Sequence, residues 1–126
     1  MANTSLFFNL FRDKETVNFA AGQFVIRAGE VGETMFVVTE GEVEVVDGPA
    51  VLETAGPGSI VGELALIDDE PRSASVVAKT DCRLVAVNRR QFLFMVQETP
   101  FFALAVMKVL ADRLRQKNVR VRSQLL

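Results

Sequence analysis

This 126-residue sequence predicts a mainly β domain, an antiparallel barrel or jelly roll with helices at both ends. Three observations point there. Short β-branched and aromatic runs alternate with glycines from Val17 onward. Glu42-Val43-Glu44-Val45 alternates strictly, which puts both valines on one face of a strand. Helical patterning is confined to the two ends of the chain. Regular short strands with frequent turns suit sheets that fold back on one another, and the length suits a single domain, 1–126, with a core of its own.

The elements follow in order. Within the N-terminal segment, 1–16, SLFFNLF predicts one or two helical turns packed on the body, since left bare it would form an apolar patch. In the β region, 17–88, strands are expected near 17–20, 23–27, 34–39 and 42–46. Gly22, Gly29, Gly32, Gly41 and Gly48 fall at the breaks, where turns call for positive φ. A strand over 50–55, the tight turn Gly56-Pro57-Gly58 and a lead-in over 59–61 bring the chain to GELALIDDEPRSASVV at 62–77. That stretch reads as a one-turn helix, a polar loop and a strand. Strands over 73–78 and 83–87 are joined by Lys79-Thr80-Asp81. In the helical region, 89–126, Asn88 caps a helix with Gln91 as its reciprocal partner. Thr99-Pro100 then starts a second helix that nothing later interrupts.

Missing residue types exclude several chemistries. The chain has no histidine, which argues against triad chemistry, ordinary zinc sites and histidine-ligated haem. No metal is expected. Without a catalytic carboxylate pair, the chain is not expected to be an enzyme, and Asp68, Asp69 and Glu70 read as a solvated acidic loop. Trp and Tyr are absent as well, so stacking on a base falls to Phe or Arg. The single cysteine, Cys82, reads as a buried thiol in a reducing compartment, the cytoplasm. No stretch approaches the roughly 20 apolar residues of a membrane span, and the N-terminus lacks the pattern of a secretory signal. The net charge of −2 is uneven: Lys108, Arg113, Arg115, Lys117, Arg120 and Arg122 against Asp112 give +5, leaving −7 elsewhere. This basic helix end reads first as a solvated face complementing the helix dipole, with an acidic partner or nucleic acid as the alternative.

Site chemistry concentrates at Gly62, Glu63 and Arg72. A helix start directs unpaired N–H groups outward and receives phosphate, and a glycine there lets the ligand approach the backbone closely. Arg72 can fork onto a phosphate oxygen. Glu63 would repel phosphate, so its fitting task is to accept a hydrogen bond from a hydroxyl. A small anion with a sugar attached satisfies all three residues. Alone, Glu63 and Arg72 would suggest an ordinary surface ion pair flanking a hairpin.

Taken whole, GELAL, a short acidic loop and RSASV resemble the phosphate-binding cassette of cyclic nucleotide-binding domains. The resemblance implies an antiparallel jelly-roll β-barrel with a short N-terminal and a long C-terminal helix. It implies that Glu63 holds the ribose 2′-OH and Arg72 the cyclic phosphate. Backbone groups of Gly62, Leu64, Ala65, Ser73 and Ala74 would complete the cradle. The implied ligand is cyclic AMP, with cyclic GMP also open because Ser73 does not decide between them. Val45 and Leu52 fall where the family walls the sugar and base, positions that equally suit plain core residues. The sequence departs from the family at Ala28, where a proline is usual in the turn after the second strand; this should loosen the turn slightly. It departs again at Lys117 and Asn118, where bacterial activators of the family cover the base with hydroxyls; Asn118 can still hydrogen-bond a purine edge. The four-cysteine cluster of oxygen-sensing members is missing. Those activators continue into a helix-turn-helix, whereas this chain stops at Leu126, so no direct DNA binding is expected from it. It reads as a stand-alone sensory domain or a piece of a longer protein, the initial Met favouring a natural start.

Met107, Ala111, Leu114, Asn118, Val121 and Leu125 are spaced 4, 3, 4, 3, 4, a heptad stripe. The stripe predicts a parallel coiled-coil homodimer through 107–125, with Asn118 setting register; a single helix lying on its own domain is the alternative. The expected function is a cyclic nucleotide sensor whose ligand shifts the last helix. The competing expectation is a non-catalytic interaction module that keeps the fold and binds no nucleotide.

Overall fold

A computed structural model describes residues 4–125. Helix α1 (Thr4–Phe11) leads into strands β1 (Val17–Phe19), β2 (Phe24–Ile26), β3 (Thr34–Glu40), β4 (Val43–Asp47), β5 (Ala50–Ala55) and β6 (Ile60–Val61). A 3-10 turn, Glu63–Leu66, precedes β7 (Ser75–Ala78) and β8 (Cys82–Asn88), and α2 (Arg89–Glu98) and α3 (Pro100–Leu125) complete the chain. The strands form two four-stranded sheets, ordered β1-β8-β3-β6 and β2-β7-β4-β5, with antiparallel pairing throughout. The architecture is jelly-roll-like, two facing sheets rather than one closed barrel.

Alternation along the strands builds two cores. In β3, Val37 faces the helices and Val38 faces the second sheet; in β8, Val85 and Val87 face the helices while Leu84 and Cys82 face the sheet. The first sheet is therefore covered on both sides, which is why its strands read as nearly continuous apolar runs. Between the sheets lie Ile26, Val38, Val43, Val61, Val76 and Leu84. Between sheet and helices, Phe102 of α3 is fully buried and meets Phe7, Phe11 and Phe92 at ring-centroid distances of 6.0, 6.0 and 5.5 Å. The apolar N-terminal helix thus packs on the body, as its composition requires.

Local signals account for the helix boundaries. Asn88 and Gln91 form the reciprocal capping box: Gln91 N–H donates to Asn88 Oδ1 at 2.8 Å, and Asn88 N–H to Gln91 Oε1 at 2.9 Å. Thr99 ends α2, its N–H donating to the Met95 carbonyl, and Pro100 opens α3. Cys82 is buried, with its thiol donating to the Thr80 and Glu42 carbonyls. Two readings need correction. Gly32 does not adopt a positive φ; its role is space, because a Cβ there would lie 2.7 Å from Arg72 Nη2. The turn at Ala28 is not left loose either: its N–H, which a proline would lack, donates to Ser75 Oγ at 2.9 Å.

No single described helix is long and apolar enough to cross a membrane.

Candidate functional site

The site is assembled where β3, the 3-10 turn and the loop before β7 converge. Gly62 adopts φ +78°, the left-handed conformation that costs a side-chain-bearing residue about 1–2 kcal/mol. Its Cβ would also collide with Ile26 Cδ1 at 2.7 Å and Arg72 Nη1 at 2.8 Å, so both conformation and space demand glycine. Arg72 Nη1 donates to the Gly62 carbonyl at 3.0 Å and Nη2 to the Thr34 carbonyl at 2.7 Å. Its backbone is clamped as well: Arg72 N–H donates to the Glu30 carbonyl and Gly29 N–H to the Arg72 carbonyl, each at 2.8 Å. The guanidinium is thereby fixed at the glycine turn. Burial lowers its pKa, against the opposing influence of Glu63 and Glu30, but arginine starts so high that the charge is kept.

Glu63 is buried, at 4% exposure, and a buried carboxylate requires a partner. That partner is Arg113 of α3, whose Nη1 donates to Glu63 Oε1 at 2.7 Å. The rest of the Arg113 fork grips β5 and β6: Nε donates to Glu53 Oε1 at 3.0 Å, and Nη2 to Glu53 Oε2 at 3.1 Å and to the Ile60 carbonyl at 2.7 Å. Burial opposes the charge on Arg113, but the Glu63 carboxylate and the hydrogen bonds to both acids outweigh it and raise the pKa. A third arginine, Arg89 at the start of α2, donates to the carbonyls of Leu66 at 3.1 Å and Ala65 at 3.4 Å. Both C-terminal helices are therefore tied to the 62–66 turn.

The structure brings Gly62, Glu63 and Arg72 together. Ala65 is buried and Leu64 exposed on the turn, while Ser73 is exposed and Ala74 half-buried just past Arg72. Val45 is half-buried and packs on the core between the sheets. Leu52 is half-buried at a bulge, the residue left over where Val45 pairs with Glu53 and Val46 with Val51. Asn118 stands exposed on α3, five residues beyond Arg113. Sequence reasoning assigned Arg113 to the solvated basic face, and that is corrected here: Lys108, Arg115 and Lys117 are exposed, but Arg113 turns inward. The signal was present in the spacing, since Phe102, Val106, Val109 and Arg113 fall 4, 3 and 4 apart on one face. Glu53 carried no such signal: it shares the inner face because it stands opposite Val45, in a register that shifts at the next pair.

Fold and site together define a jelly-roll domain that gathers an anchored arginine, a glycine turn and a buried acid at one place. Residues 16–99 match the family described as Cyclic nucleotide-binding domain, and the chain belongs to that family. It is 40% identical over 93 residues to a cyclic nucleotide-gated potassium channel of Mesorhizobium japonicum, covering 74% of this chain and 26% of the channel. It is 30% identical over 108 residues to the cyclic AMP receptor protein of Thermus thermophilus, covering 82% of this chain and 50% of the receptor. The crystal structure of the Thermus thermophilus catabolite activator protein superposes with a TM-score of 0.79 at 26% identity, over 98% of this chain and 59% of that one. The chain thus spans half or less of the length of these two curated relatives.

Proposed function

We propose that this domain is a non-catalytic sensor that binds a cyclic nucleotide, cyclic AMP or cyclic GMP, at the turn between Gly62 and Arg72 and signals through movement of α3. The observation that carries the reading is the Arg72 guanidinium. Two of its five N–H groups hold the Thr34 and Gly62 carbonyls, and the remaining three, which donate to no other group among the described residues, suit a monoanionic phosphodiester. Glu63 beside it engages Arg113 through Oε1, and its Oε2, which accepts no hydrogen bond among the described residues, suits a sugar hydroxyl. The relatives support the ligand class, being named for cyclic nucleotides and for cyclic AMP.

Helix α3 is the natural output. A ligand that changes what Glu63 holds changes how firmly Arg113 docks the helix, and the shift can be no larger than the ligand's differential affinity for the two arrangements. Opposite the docked face, Leu104, Met107 and Leu114 are 58%, 55% and 60% exposed, an apolar stripe that supports a homodimer through 107–125. Val121 and Leu125, which complete the stripe, lie outside the residues whose side chains are described. A buried free thiol suits a reducing cytoplasm.

Isothermal titration with cyclic AMP, cyclic GMP and 5′-AMP tests the reading. At least one cyclic nucleotide is expected to bind once per chain, with 5′-AMP far weaker. Failure of both cyclic nucleotides to bind would instead favour an interaction module that has kept only the fold.

A further inference from the structure

The inner face of a jelly roll is normally apolar, yet β5 directs a carboxylate into it. Glu53 lies opposite Val45, whose side chain packs on the core, and its own side chain is 30% exposed. An inward acid of this kind requires a matching cation, and Arg113 supplies it with a two-point fork, Nε to Oε1 and Nη2 to Oε2. Arg113 therefore has a divided allegiance. Three of its hydrogen bonds go to Glu53 and the Ile60 carbonyl, and one goes to Glu63.

We propose that Glu53 is a positioning residue for the sugar: by holding the Nε and Nη2 edge of the Arg113 fork, it limits Arg113 to one oxygen of Glu63 and leaves the other to recognise a ribose hydroxyl. Without the Glu53 carboxylate, Arg113 has one acid to pair with. The planar guanidinium then turns to meet both Glu63 oxygens, the geometry that arginine and carboxylate favour when nothing competes. Glu63 stays buried and paired, but its hydroxyl-accepting oxygen is occupied. Electrostatics alone would push the other way, since removing a negative charge near an incoming anion favours its binding. The two effects separate cleanly, because the electrostatic one acts on every cyclic nucleotide alike and the positioning one acts only on those bearing the 2′-hydroxyl.

The inference rests on the cyclic nucleotide reading, and the test separates the two. The ratio of affinities for cyclic AMP and 2′-deoxy cyclic AMP is measured by titration calorimetry for the parent chain, Glu53→Gln and Glu53→Asp. The parent is expected to prefer the ribose form by about tenfold or more, the worth of one hydrogen bond to a charged acceptor. In Glu53→Gln the ratio is expected to fall to within about twofold of unity while the phosphate contact persists, the collapse following from the lost hydroxyl bond. Glu53→Asp, which keeps the carboxylate facing Arg113, is expected to retain a preference for the ribose form. Thermal melts establish that each variant is folded. A parent-like ratio in folded Glu53→Gln overturns the inference while leaving the nucleotide reading intact. A parent that binds neither ligand overturns both.

Discussion

Replacing Arg72 with alanine is the most informative perturbation of this site. In the ligand-free chain the guanidinium holds two carbonyls, of Gly62 and Thr34, in a half-buried position. Water can replace part of what is lost there, so the stability cost is about 1 kcal/mol, the net worth of an ordinary hydrogen bond. For a domain of this size that lowers the melting temperature by roughly 3–5 °C. The effect on an anion is larger. Each charge-assisted hydrogen bond is worth about 1.5–3 kcal/mol, so losing a two-point grip on a phosphodiester costs about 3–6 kcal/mol, or 10²- to 10⁴-fold in affinity. Arg72→Lys keeps the charge without the fork and is expected to fall between alanine and the parent. Titration calorimetry with cyclic AMP, paired with melts in the presence and absence of ligand, reads both effects. At 100 times Kd, ligand should raise the stability of the parent by about 2.7 kcal/mol, and at the same concentration it should barely shift the alanine variant. If folded Arg72→Ala binds as tightly as the parent, the phosphate assignment is wrong.

Other expectations concern the surroundings of that contact. Gly62→Ala places a Cβ 2.8 Å from Arg72 Nη1 in a left-handed backbone, so calorimetry should register a loss of affinity out of proportion to the roughly 1–2 kcal/mol of strain seen in a denaturant melt. Phe102→Ala empties a site shared by rings from α1 and α2, and should lower unfolding free energy by about 3–5 kcal/mol in urea titrations. Leu114→Glu alters an exposed position, so the melt of a monomer should change by no more than about 0.5 kcal/mol. In the same variant, sedimentation should report dissociation of a parent dimer into monomers; a parent that already sediments as a monomer would remove the coiled-coil reading.

How much of this was legible depends on the range over which each cause acts. The Asn88–Gln91 box, the Thr99-Pro100 break and the alternation in β4 are decided by residues within a turn of one another, and their elements appear where the pattern puts them. Gly62, Glu63 and Arg72 could be grouped because eleven positions contain all three and the string around them is specific. Arg113 and Glu53 could not be paired in the same way. Sixty residues separate them, and their meeting depends on how α3 crosses the edge of the second sheet, which no local pattern specifies. Counting charges along 108–122 also concealed Arg113, since a basic run looks uniform until the helix is wound and one member falls on the apolar face. Gly32 shows a third kind of limit: glycine signals either an unusual φ or a close neighbour, and only the folded chain shows that the neighbour here is Arg72.

A crystal structure of the chain grown with cyclic AMP tests the central claim most directly. The phosphate is expected within about 3 Å of the free N–H groups of Arg72 at the Gly62 turn, with the ribose 2′-hydroxyl donating to Glu63. Cyclic AMP bound away from Arg72, or bound there with its phosphate turned from the guanidinium, would contradict the account.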